Sequence, residues 1–78
     1  MSVTIVSVNL KTESGDDYLF TYDQVDSIEE FVDLVEKDLG EELAYVYGFT
    51  MNVLHSSESI DKWEYALWAR ITNMGDDE

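Results

Sequence analysis

Any chemistry in this chain has to come from a short set of side chains. His55 is the only histidine and is followed by Ser56 and Ser57; a histidine beside a hydroxyl can activate it for nucleophilic attack. These residues lack the Gly-x-Ser-x-Gly elbow, and three adjacent polar residues in a turn do not make a triad. With one histidine and no cysteine, the usual zinc-binding sets are missing too. Carboxylates remain, since paired acids serve glycosidases and bind divalent cations. Asp16-Asp17 and Glu41-Glu42 are sequence neighbours in turns, however, and the run from Asp16 to Glu30 does not match a calcium loop. A glycine-rich phosphate loop is absent as well. The expectation is a protein that is not an enzyme and needs neither metal nor cofactor.

The acids are far more numerous than catalysis would require. Eighteen Asp and Glu stand against four Lys and Arg, a net charge of −14. Phosphate backbones are bound by Lys and Arg that displace counterions, so direct nucleic-acid binding is not expected, and anionic membrane surfaces are disfavoured for the same reason. The stretch YVYGFTM, 45–51, has an aromatic-glycine-aromatic centre like the strand on which RNA-recognition motifs stack bases. It lacks the leading basic residue and reads as core. A basic protein partner suits this charge, and solubility is the plainer use of it. No basic leader precedes the apolar residues of Met1 to Leu10, no apolar run is long enough to span a membrane, and the lack of cysteine suits a reducing cytoplasm.

The elements that would position these acids follow from hydrophobic spacing. A chain of 78 residues with an apolar fraction of 45% makes a single domain, 1–78, and its ten aromatic residues can fill a core without staples. VTIVSVNL, 3–10, reads as a first strand whose alternation slips between Ile5 and Val6, a sign of a bulge or of two partly covered faces. Gly15-Asp16 suits the centre of a hairpin turn, and YLFTY, 18–22, returns with Tyr18, Phe20 and Tyr22 on one face. Ser27 and Glu30 form a capping-box pair, Ile28, Phe31, Val32, Val35 and Leu39 follow the helical period, and Gly40 stands where helices end.

LAYVYGFTMNVL, 43–54, alternates with Leu43, Tyr45, Tyr47, Phe49, Met51 and Val53 on one face, which predicts a long strand bent near Gly48. Residues 60–72 fit two templates. Ile60, Trp63, Leu67, Trp68 and Ile71 suit a helix capped by Ser59, while unbroken alternation and aromatic content favour a strand. Taken as a strand, it completes an α+β fold: a four-stranded, mainly antiparallel sheet in the order β-β-α-β-β with one helix packed on one face. Residues 73–78 then read as a frayed acidic tail. The second sheet face would carry Val46, Leu54, Ala66 and Trp68, more apolar surface than one helix covers, so Val46 and Trp68 are candidates for a homodimer interface.

Residues 26–42, DSIEEFVDLVEKDLGEE, hold eight carboxylates and one lysine. At about 100° per residue, Glu29, Asp33 and Glu36 fall within about 60° on one flank of the helix. They are separated by about 6 Å and about 4.5 Å along its axis. One strand of duplex DNA presents a phosphate every ~3.4 Å, a comparable spacing. Acids in the first turn favour the helix dipole, and a solvated face needs no partner. Glu36, Asp38, Glu41 and Glu42 sit at or beyond the C-terminal end, where negative charge is unfavourable, and such an electrostatic liability often marks a binding surface.

In size, charge, α+β layout and this stripe, the chain resembles the small acidic inhibitors that mimic DNA, the anti-CRISPR and anti-restriction proteins borne mostly by phages and mobile elements. That resemblance implies a stoichiometric inhibitor in the cytoplasm of a host bacterial cell, whose partner is a basic Cas or restriction component. Asp26, Glu29, Glu30, Asp33, Glu36, Glu41 and Glu42 would meet Lys and Arg of the target, with Asp16, Asp17 and Asp23 as a second patch. Reversing Glu29, Asp33 and Glu36 to Lys would then abolish binding without disturbing the core. An immunity protein or antitoxin that blocks a basic nuclease toxin would use the same acids. A non-enzymatic, homo-oligomeric interaction module would keep them for solubility.

Overall fold

The computed structural model describes residues 4–75. Alternation in β1 (Thr4–Thr12) buries Val6, Val8 and Leu10 on one face and leaves Ser7 and Asn9 on the other. The chain reverses through residues 13–16, where the Gly15 N–H donates to the Thr12 carbonyl and the Thr12 N–H donates to the Asp16 carbonyl, both at 3.0 Å. Gly15 has φ +94°, so it is the left-handed residue that closes the loop between Thr12 and Asp16, not the first centre of a two-residue turn. β2 (Asp17–Val25) pairs antiparallel with β1, and the register shifts between Thr4 and Val6, where the sequence alternation slips.

α1 (Ile28–Leu39) starts and stops as its sequence signals direct. The Ser27 side chain accepts from the Glu30 N–H at 3.1 Å, and Glu30 Oε1 accepts from the Asp26 N–H at 2.7 Å, one residue earlier than in the usual reciprocal box. Gly40 caps the other end with φ +63° and ψ −134°, its N–H donating to the Glu36 carbonyl. Phe31, Val32, Val35 and Leu39 are buried. Aromatic contacts run from Tyr18 and Phe20 to Tyr22, then edge-on to Phe31 at 5.9 Å between ring centroids and on to Trp63 at 5.6 Å.

Beyond α1 the structure departs from the sequence pattern in two places. Residues expected to open the third strand form a short 3₁₀ segment, Gly40–Tyr45, which buries Leu43 and leaves Tyr45 exposed. β3 (Val46–Leu54) begins after it, and its register against β1 shifts between Lys11 and Thr12, opposite Gly48 and Val46. Tyr47 is the extra residue of that bulge. Parity inverts there, so Val46 is buried while Tyr47 is 60% exposed.

The second departure is larger. Residues expected as a fourth strand belong to a helix, α2 (Ile60–Gly75). Trp63, Leu67 and Ile71 are its buried stripe, whereas Tyr65, which strand alternation would place on the same face, is 77% exposed. The fold is therefore α+β with a three-stranded antiparallel sheet in the order β2-β1-β3 and two helices on one face, not four strands and one helix. α1 lies against β2 and α2 against β3, so each covers the half of the sheet the other leaves bare. Of the tail expected at 73–78, residues 73–75 are the last turn of α2, with Met74 packed against the core, and 76–78 lie outside the described residues, as do residues 1–3, the last of which opens the expected first strand.

The expected apolar second face is corrected too. Val46 is 5% exposed, inside the core, and Ala66 and Trp68 lie on α2 rather than on the sheet. Val46 therefore offers no exposed side chain to a second copy. The open face instead presents Ser7, Asn9, Thr21, Thr50 and Asn52, with Ile5, Leu19 and Leu54 among them.

Candidate interaction surface

α1 presents its acids because its apolar stripe commits the opposite side to the core. Glu29 and Asp33 are exposed, while Glu36 is half-buried on the side towards α2. Arg70 of α2 bridges the helices there: its Nη1 meets Asp33 Oδ1 at 3.0 Å and also hydrogen-bonds Glu36 Oε1. Burial alone would lower the pKa of this guanidinium, but the hydrogen bonds it donates to Glu36 and then Asp33, with the charges of those carboxylates, outweigh that and raise it. Two of the three acids on the Glu29–Asp33–Glu36 flank thus hold the chain's only arginine. Reversing Asp33 and Glu36 to Lys would set like charges against Arg70, so it is not the structurally silent change that the sequence suggests.

The other end of α1 leads into a second set. Glu41 and Glu42 are exposed on the 3₁₀ segment. Glu36 and Glu41 border one shallow depression with Ala44, Tyr45 and Met74, and Glu42 borders another with Glu13, Ser14 and Tyr45. The Glu13 N–H donates to the Tyr45 carbonyl at 3.0 Å, which ties the β1–β2 loop to this segment. The Tyr18 hydroxyl titrates above the ordinary tyrosine value, through partial desolvation first and then the negative field of Asp16 and Glu42. Loop acids and 3₁₀ acids therefore share one pole of the molecule. Glu13 belongs to that pole although the sequence did not single it out; a lone acid in a turn gives no signal until the loop is seen to dock on Tyr45.

Asp17 stands across from Lys11 in the β1–β2 pairing, and Asp23 is exposed on β2 beside the register shift. Asp26 lies at the far end of α1, where Glu30 is occupied with the helix cap. The second patch expected from Asp16, Asp17 and Asp23 is thus divided: Asp16 joins Glu42, and Asp23 remains apart towards the far end of β2.

At that far end, His55, Ser56 and Ser57 border a depression of about 480 Å³ with Asp26, Ser27, Glu58 and Trp63. His55 adopts φ +64°, and its carbonyl accepts from Thr4 Oγ1. Ser56 Oγ accepts from Trp63 Nε1 at 3.1 Å and from the Glu58 N–H at 3.0 Å, so its hydroxyl oxygen anchors the loop onto the core. Among the described residues, no three His, Asp or Glu side chains gather closely enough to hold a metal ion, and no helix is long and apolar enough to cross a membrane. No protein-family model, curated protein or solved structure matched the chain.

Proposed function

We propose that the protein is a stoichiometric inhibitor whose acidic surface occupies the basic nucleic-acid groove of a CRISPR-Cas or restriction complex in a bacterial cytoplasm. The observation that carries this reading is the continuity of the acids. Asp26 and Glu29 begin the line along α1, Asp33 and Glu36 follow beside Arg70, and Glu41, Glu42, Glu13 and Asp16 close it at one pole. The twelve residues of α1 rise about 18 Å, the length over which one DNA strand presents about five phosphates at ~3.4 Å each.

Inhibition on this reading involves no chemistry by the inhibitor. Carboxylates take the place of phosphates against Lys and Arg of the groove, and binding is exclusive with DNA. Among the described residues, Glu29, Glu41 and Glu42 are exposed and take part in no ion pair, which leaves them available for this. The test is a capture experiment with purified Cas and restriction complexes at moderate salt. Retention of one such complex, released by added duplex DNA, is the expected result. Retention that saturating DNA leaves unchanged would refute mimicry.

A further inference from the structure

The sheet has two edges, β2 and β3, and they are guarded differently. Edge strands expose unpaired N–H and C=O groups, and proteins ordinarily blunt them with charge, proline or cover. β2 follows that rule. If β2 paired antiparallel with a copy of itself about Phe20, Asp17 of one chain would face Asp23 of the other, and like charges directly opposite are unfavourable. β3 breaks it. Its nine residues, VYGFTMNVL, contain no charge and no proline in a chain of net charge −14, and among the described residues nothing pairs with its outer edge.

The same strand is self-complementary. Antiparallel pairing about Thr50 sets Thr50 against Thr50, Phe49 against Met51 and Gly48 against Asn52, all uncharged pairs, and the regular ladder ends at the Tyr47 bulge. Thr50 and Asn52 are exposed on the open face, while Phe49 and Met51 face the helices. Trp68 lies against Phe49 at 4.9 Å between ring centroids yet stays 39% exposed, on the flank of α2 away from Arg70, and Tyr65 lies one turn earlier on that flank. An added strand at this edge would find aromatic cover on its helix side.

We infer that the outer edge of β3 pairs antiparallel with β3 of a second copy about a two-fold axis at Thr50, which joins the two three-stranded sheets into one. The occupant is a second copy because β3 carries no charge, so no register of its self-pairing opposes acids, whereas β2 carries Asp17 and Asp23. A basic partner would instead gain most at the acidic pole and along α1.

The charge elsewhere gives the dimer a distinctive signature. Two copies of net charge −14 repel at long range, and the screening length falls from about 30 Å at 0.01 M salt to about 3 Å at 1 M. Dimerisation should therefore strengthen with salt, the opposite of binding to a basic protein. Sedimentation equilibrium at low and high salt reads this directly: the expected result is a mass that rises to twice the monomer as salt increases. Thr50→Glu places like charges at the axis and should return the monomer mass with the circular dichroism spectrum unchanged.

Should that variant fail to fold, Thr50→Cys decides the question, because the chain has no other cysteine. Residues directly opposite in an antiparallel pair have Cα atoms about 4.5–5.5 Å apart, within the range a disulfide spans. Mild oxidation should cross-link Thr50→Cys into a dimer and leave Thr21→Cys, on the opposite edge strand, largely monomeric. A monomer mass at every salt concentration would overturn the inference. So would a dimer that survives Thr50→Glu or does not cross-link through position 50.

Discussion

Replacing Arg70 with Gln tests how much of the α1–α2 contact is electrostatic. The guanidinium is 27% exposed, while Asp33 and Glu36 are 62% and 41% exposed, so solvent screens both pairs. Exposed ion pairs contribute about 0.2–1 kcal/mol each, and the two together set an upper bound of about 2 kcal/mol. Losing them also leaves Glu29 and Asp33 as an uncompensated i,i+4 pair of acids, at a cost of a few tenths of a kcal/mol. The expected destabilisation is about 1–1.5 kcal/mol at low salt, a fall in Tm of roughly 4–12 °C for a domain of this size. Urea unfolding followed by circular dichroism measures it. Near 1 M salt, where the screening length is about 3 Å, the difference between wild type and R70Q should shrink to a few tenths of a kcal/mol. A double-mutant cycle with Asp33→Asn and Glu36→Gln should assign most of the effect to the two acids. A loss that is the same at low and high salt would show that Arg70 acts by packing its stem between the helices, and the electrostatic account would be wrong.

Phe31→Ala removes a side chain that is fully buried between Tyr22 and Trp63. Its cost of about 3–5 kcal/mol is comparable with the whole stability of a small domain, so the urea midpoint should fall close to zero. Gly40→Ala forces a side chain into φ +63°, ψ −134°, a conformation that glycine alone tolerates; a loss of about 1–3 kcal/mol should appear in the same assay. The Tyr22 hydroxyl donates to Asp38 Oδ2 at 2.7 Å, and burial first, then that hydrogen bond and charge, hold its pKa above the ordinary tyrosine range. Because the folded value is the raised one, this contribution is whole below pH ~10. It is lost as pH rises through the folded pKa. Phenolate absorbance in wild type should accordingly show a last titrating tyrosine, behind Tyr18 as well as the others, and that last step should be missing from Tyr22→Phe.

How far the sequence could be read depended on how many signals converged. α1 was legible because the cap at Ser27, the apolar spacing and the glycine at its end all agree. β1 and β2 were legible for a similar reason, and even the slip near Ile5 corresponds to a real register shift. Residues 60–72 satisfied both periods. What decided between them is tertiary: α1 covers only the β2 half of the sheet, and Trp63, Leu67 and Ile71 close the rest from a helix. The start of β3 was misread because Gly40 turns the chain into a 3₁₀ segment and the bulge at Tyr47 then inverts parity, and neither event leaves a mark in simple alternation. At the site, acid exposure followed directly from the placement of the apolar stripe. The bridge from Arg70 spans 34 positions in sequence and could not be seen without the helix that carries it.

The central claim concerns the acids that remain outside internal pairs, and the most direct measurement is the affinity of Glu29→Lys/Glu41→Lys/Glu42→Lys for a captured nucleic-acid enzyme, beside wild type, by titration calorimetry. These positions avoid both the core and Arg70, so the circular dichroism spectrum should not change. Each reversed charge at an exposed contact is worth on the order of 1 kcal/mol, so the account predicts weakening of about a hundredfold. Wild-type binding should itself fall steeply from low to physiological salt. A triple variant that binds and inhibits as well as wild type would contradict the account.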